Sequence, residues 1–152
     1  MKGIALEKKV WELSAQSYHD TPDFDVDGMQ VCYYFSDNIN FLIWPGSNEL
    51  DDWLFRNFYF FAKKEKGFGK FHRGYWNGIK KHHLQIYRLI PRENHELPIV
   101  VGGHSAGGAW SQLFLLKHIN QIDKCITFGS PKPIKKLNNE FYENFTCIFI
   151  FQ

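Results

Sequence analysis

Residues 100–108 read Val-Val-Gly-Gly-His-Ser-Ala-Gly-Gly and place a serine among small residues, between an apolar run and a segment with helical spacing. Residues 99–102 are short and wholly apolar and predict a buried strand. Residues 106–119, with Ala109, Trp110, Leu113 and Leu116 on neighbouring turns, predict a helix. Gly103 to Gly107 match G-x-S-x-G where that pattern has a mechanical meaning, a sharp strand-to-helix turn that presents the serine at strained backbone angles. Such a turn needs small neighbours so that sheet and helix can approach, and Gly103, Gly107 and Gly108 supply them. The competing readings are a glycine-rich turn that only ends a strand, or a phosphate cradle. A phosphate loop calls for Gly-Lys-Ser or Gly-Lys-Thr, and a dinucleotide loop for G-x-G-x-x-G, and neither is present. Ser105 is therefore the candidate nucleophile. Its neighbour His104 is read as a residue that positions the turn, because adjacent side chains at a strand end point apart.

Outward from this turn the chain alternates. Residues 4–17 carry Ile4, Leu6, Val10, Trp11, Leu13 and Ala15 as a helical stripe. Residues 30–35 and 38–44 predict two strands joined by a tight turn at Ser36 and Asp37. A helix is expected over 49–66, broken by Gly67-Phe68-Gly69, and another over 72–90, with Trp76, Ile79, His83, Ile86 and Ile90 on its stripe. Short apolar strands follow at 125–128 and 146–151, with a helix carrying Glu140 and Glu143 between them. Short apolar strands separated by helices predict an α/β fold, a mixed and mostly parallel sheet flanked by helices on both faces. No repeat or linker divides the chain, so residues 1–152 are expected to form one domain.

The composition, 44% hydrophobic and 22% charged in 18.0 kDa, fits an ordinary globular protein with a core and excludes a disordered or fibrous one. The net charge is +2, and the basic residues fall into separate groups: Lys63, Lys64, Lys66, Lys70 and Arg73; Lys80, Lys81, His82 and His83; Lys132, Lys135 and Lys136. Each reads as a solvated face rather than a nucleic-acid footprint, with at most weak attraction to anionic surfaces. The three cysteines, Cys32, Cys125 and Cys147, sit in apolar runs without C-x-x-C spacing and read as buried thiols in a reducing compartment. No stretch has signal-peptide character or about eighteen consecutive apolar residues, so a cytoplasmic protein without an integral membrane segment is expected. No metal or cofactor site is visible, since His82 and His83 point apart on a helix.

FHRGYW at 71–76, VVGGHSAGGAW at 100–110 and ITFGSPKP at 126–133, in that order, resemble the class 3 lipase family, the fungal-lipase-like branch of the α/β-hydrolases. WPGSNELDDWL at 44–54 resembles the strand end that builds the family's oxyanion hole, and the resemblance spans roughly residues 8 to 151. It implies an α/β-hydrolase fold and assigns Ser105 as nucleophile. Ser47 is assigned to close the oxyanion hole, with the backbone N–H groups of Ser47 and Ala106 as donors. Such fixed donors stabilise the charge that acyl transfer places on the carbonyl oxygen. Pro45 stands where the family commonly has arginine, and Ala106 where it has leucine. Ser47 also fits a helix N-cap, a role compatible with the first, while Asp51 and Asp52 read as first-turn acids of a helix.

A nucleophilic serine needs a histidine and an acid to orient it. After Ser105 the only histidine is His118, thirteen residues along the same helix and about 20 Å away at 1.5 Å per residue. The only aspartate is Asp123, before the 125–128 strand and so at its wrong end. His72 is expected to cap or anchor its helix, and Glu140 and Glu143 to be solvated. In the family the acid follows the next strand and the histidine comes later, so the C-terminal part is expected to be missing from this sequence. It would be an omitted segment, a natural truncation or a part supplied by a partner chain.

The function expected from the resemblance is hydrolysis of carboxylic esters, of lipids or acylglycerols, through an acyl-serine intermediate on Ser105. Trp44, Trp53, Phe55 and Trp76 fit an acyl groove and fit a core. The alternative is a truncated, non-catalytic hydrolase-like protein that acts as a binding or interaction module, self-associating through the C-terminal strand at Phe151.

Overall fold

The computed structural model describes residues 3–46, 62–138 and 147–150. Helix α1 (Gly3–Gln16) leads into a meander of β1 (Phe24–Val26), β2 (Met29–Ser36) and β3 (Ile39–Trp44). After β4 (Ala62–Glu65) and β5 (Gly69–His72) come helix α2 (Arg73–Tyr87), β6 (Ile99–His104), helix α3 (Ala106–Lys117), β7 (Lys124–Phe128), β8 (Ile134–Leu137) and β9 (Cys147–Ile150). The main sheet has the order β1-β2-β3-β6-β7-β9, antiparallel through β3 and parallel from β3 to β9.

Both hairpins of the meander turn on two residues at positive φ, Asp27 (55°) with Gly28 (78°) and Asp37 (53°) with Asn38 (58°). Two such residues twist a tight loop in the sense of its strands. The second turn lies one residue later than the spacing of Ser36 and Asp37 predicts, and the short strand β1, which Asp27-Gly28 announces, is an addition to the sequence reading. Asp27 also ties this hairpin to α2, accepting from Lys81 (2.9 Å) and pairing with His82 Nε2 (3.0 Å). These hydrogen bonds, Lys81 first, hold its carboxyl below the usual carboxylate range.

Alternate residues of β3 and β6 serve two cores. Phe41, Ile43 and Val100 pack under α1 with Val10, Leu13 and Ile126, while Leu42, Trp44 and Val101 pack under α2 and α3 with Trp76, Ile79 and Leu113. A sheet covered on both faces needs apolar residues in both phases, which is why these strands read as unbroken hydrophobic runs. Helix α3 is buried on every side from Ala106 to Leu116. Trp44 and Trp76 have no exposed surface, so they serve the core; Trp53 and Phe55 lie outside the described residues. On α2 the buried histidine is His82, not His83, because the hairpin supplies Asp27 at that position.

One expectation fails on a second sheet of order β4-β5-β8. The end of the helix expected over 49–66 is strand β4, and β8 is an addition to the sequence reading. Ala, Lys and Glu favour a helix locally, but pairing and packing override so weak a preference. Gly67 (φ 86°) lets β4 turn back onto β5, Phe71 stacks on Trp76 at 4.4 Å, and Glu65 accepts from Trp76 Nε1 at 3.0 Å. Cys32 and Cys125 are buried free thiols as expected. Cys147 is only half-buried and stands opposite Cys125 across β7 and β9.

His118 ends α3 with its Nε2 3.1 Å from His83 Nδ1 and its ring stacked on Tyr87. Burial first, then the charges of His83 and Lys117, push it down to about 4. The unfolded chain therefore takes up a proton at this histidine near its ordinary pKa of about 6.5, where the folded protein does not. This contribution to stability is complete above pH ~6.5 and is lost as the pH falls toward ~4. We expect a loss of about 1–2 kcal/mol between pH ~7 and ~5 from this residue. Urea melts at the two pH values should show it in the wild type and a shallower dependence in His118→Phe.

Candidate active site

Ser105 sits where the sequence predicts, between β6 and α3, at φ 51° and ψ −126°. This is a region that side-chain-bearing residues occupy at a cost of about 1–3 kcal/mol. The turn is held from several directions. Ser105 N–H donates to the Phe128 carbonyl of β7 at 3.0 Å, and Gly108 N–H donates to the Ser105 carbonyl at 3.0 Å. A β-carbon on Gly103 would lie 2.7 Å from the Gly107 carbonyl carbon, and one on Gly107 would strike the Trp44 carbonyl oxygen and come within 2.9 Å of the Pro45 oxygen. The three-way approach of β3, β6 and α3 thus leaves no room for side chains there.

Ala106 is the first residue of α3, so its N–H has no carbonyl one turn back to receive it. It stands at the positive end of the helix, one peptide from the serine. Ser47, the other expected oxyanion residue, lies outside the described residues, as do Asp51, Asp52, Glu140, Glu143 and Phe151. The described chain stops beside it at Gly46, where a β-carbon would touch Tyr18 Oη and lie 3.2 Å from Ser105 Cβ.

Tyr18, which nothing in the sequence marks, joins the two segments. Its Oη accepts the Gly46 N–H at 3.1 Å and lies 2.7 Å from His104 Nδ1. This contact ties His104 to the residue just past the end of α1. Behind the turn, Gln112 of α3 donates to Ser130 Oγ at 2.8 Å and fixes the segment that leaves β7. A cavity of about 430 Å³ opens beside His104, lined by Trp11, Ser14, Ala15, Tyr18 and His19.

The other titratable candidates are placed elsewhere. His118 lies at the far end of α3, and Asp123 accepts the Ile99 N–H at 2.7 Å at the opposite end of β6 from Ser105. His95 is hydrogen-bonded to the Ile90 carbonyl. His72 does not cap α2 with its side chain, contrary to one expectation. It anchors the helix start instead, its ring buried against Tyr75 at 4.9 Å and its N–H donating to the Pro133 carbonyl at 2.8 Å. Burial, then Lys135, holds its imidazole below the ordinary pKa. Among the described residues no group of three or more His, Cys, Asp or Glu side chains is placed to hold a metal ion, and no helix is long and apolar enough to cross a membrane.

The fold recurs in solved structures. Lipase II from Rhizopus niveus superposes with a TM-score of 0.69 at 16% identity, over 99% of this chain and 72% of that one. The lipase from Rhizopus microsporus var. chinensis gives 0.65 at 17% identity, over 99% and 66%. The native Rhizomucor miehei lipase propeptide complex gives 0.62 at 16%, over 93% and 56%. The chain thus spans between 56% and 72% of the length of these three structures. No curated protein matches it in sequence. The family described as Lipase (class 3) matches residues 41–150, from the third strand through the serine turn to β9. With that match over well over half of its length, and an α/β-hydrolase sheet beneath it, the chain belongs to the class 3 lipase family.

Proposed function

We propose that this chain carries the nucleophile and part of the oxyanion site of a serine hydrolase that cleaves carboxylic esters of lipids or acylglycerols. The observation that carries this reading is Ser105 held at φ 51° and ψ −126° at the start of a buried helix. Ser105 Oγ attacks the ester carbonyl carbon, the Ala106 N–H stabilises the oxyanion, the alcohol departs, and water then releases the acid from the acyl-serine. A base must take the serine proton. His104, His83 and His118 are engaged away from Ser105, so the assignment of a base rests on none of them. The cavity along α1, walled by Trp11, Ala15 and Tyr18, offers apolar surface for an acyl chain beside the elbow.

The test is covalent labelling by a fluorophosphonate, read by intact mass and by mapping the modified peptide, beside hydrolysis of a diacylglycerol emulsion. Labelling at Ser105 together with released fatty acid is the expected result. A protein of 18.0 kDa that is folded but takes up no probe would remove the hydrolase reading and leave a binding module of hydrolase shape.

A further inference from the structure

The second sheet brings together lysines that are far apart in sequence. Its register sets Lys64 opposite Lys70 and Lys70 opposite Lys136, a row of three across β4, β5 and β8. All three are exposed, as are Lys66 in the turn and Lys132 before β8. Directly opposed residues have β-carbons about 5 Å apart and share one face, so like charges in these positions repel. The only carboxylate in the three strands, Glu65, is committed to Trp76 and Lys80. The other face of the sheet holds the buried Phe71 and Leu137, with Phe71 stacked on Trp76 and Glu65 bonded to the same indole. The sheet is thus two-sided, and its outer side carries the row of exposed lysines.

We propose that this lysine face docks the protein on an anionic lipid surface. The charges are ammonium groups on flexible stems rather than the planar forks that read phosphates or bases. The aromatic rings described in this sheet and its turn, Phe68 and Phe71, pack against Trp76, so among the described residues no stacking platform for a nucleic acid accompanies the charge. Diffuse attraction to a surface of fixed negative charge is what such a row provides. The face is also connected to the candidate active site. Phe128, whose carbonyl holds the Ser105 N–H, continues through Gly129 and Pro133 into β8, so the segment that leaves the elbow end of the main sheet leads directly into the lysine row. The choice of a lipid as the source of anions rests on the proposed function, but the binding does not require Ser105 to react.

The experiment is co-sedimentation with vesicles of dialkyl ether lipids, which contain no carboxylic ester, so that binding is read apart from hydrolysis. With roughly one-third phosphatidylglycerol in phosphatidylcholine the wild type should bind, weakening steeply as salt rises from about 50 to 500 mM. It should not bind phosphatidylcholine alone. Lys136→Gln should lower the partition coefficient about 5-fold, and Lys64→Gln with Lys70→Gln and Lys136→Gln on the order of 100-fold. The triple variant should also melt no lower than wild type, because it removes like-charge neighbours. Lys8→Gln with Arg88→Gln and Arg92→Gln, the same change in net charge at other exposed sites, should bind like wild type. Equal losses in the two triple variants, or undiminished binding by the first, would overturn the proposal. So would salt-matched binding to duplex DNA tighter than to the vesicles. Loss of vesicle binding with Ser105 still labelled separates this surface from the chemistry, and binding without labelling separates it the other way.

Discussion

Ser105→Gly is expected to abolish fluorophosphonate labelling completely and, in the same protein, to raise the melting temperature above that of Ser105→Ala. Both variants lack the hydroxyl, so any hydrogen bond it makes is lost equally in each, and the comparison isolates the backbone. At φ 51° and ψ −126° an alanine keeps the strain of about 1–3 kcal/mol that the serine carries, whereas glycine relieves it. Glycine gives back about 0.5–1 kcal/mol by loosening the unfolded chain. The net gain is about 1 kcal/mol, or roughly 2–4 °C for a chain of this size. Thermal melts of the two variants side by side decide the matter. A glycine variant no more stable than the alanine variant would mean that the surrounding contacts, not the turn itself, set the conformation.

The second large effect is expected at Gly107. Helix propensity alone predicts that Gly107→Ala stabilises α3 by about 1 kcal/mol. The packing predicts the opposite sign. The new methyl would meet the Trp44 carbonyl oxygen and carbon and the Pro45 oxygen, all of them backbone atoms that cannot rotate aside. Helix and strand must separate, and overpacking against a rigid wall puts the cost at about 4 kcal/mol, or roughly 8–16 °C in melting temperature. Labelling should fall with it, since the same shift moves Gly46 away from Ser105. Gly3→Ala, where a β-carbon meets nothing within 4 Å, is the control and should leave both properties unchanged. A Gly107→Ala protein as stable as wild type would show that the three-way contact at the elbow is not tight.

These contacts also explain what the sequence could and could not reveal. The elbow was legible because its demands are local: an apolar strand, a serine, and glycines where neighbours crowd. The double-sided sheet was legible in the unbroken apolar runs of β3 and β6. The β1 hairpin carried a signal too, since Asp27-Gly28 is a strong two-residue turn, but three residues of strand are too few for periodicity to register. The second sheet had no such sign. Residues 62–65 favour a helix on propensity, and only the partner strands β5 and β8, with Trp76 beneath them, make them a strand. Tyr18 was equally hidden, because a tyrosine just past a helix end gives no hint that its hydroxyl meets residues 28 and 86 positions away. Of the basic groups read as solvated, Lys64, Lys66, Lys70, Lys132 and Lys136 are exposed while His82 is buried, and the row itself emerged only when pairing placed Lys136 beside Lys70.

The bridge at Tyr18 has a practical consequence for anyone preparing this protein. The family match begins at residue 41, and a shortened protein cut to that boundary would look complete by homology. It would lack α1, which packs on the Phe41, Ile43 and Val100 side of the sheet, and with it the tyrosine hydroxyl that fastens Gly46 to His104. An inactive preparation of that kind would then report on the missing helix rather than on Ser105, and a bulky fusion partner placed against α1 could mislead in the same way.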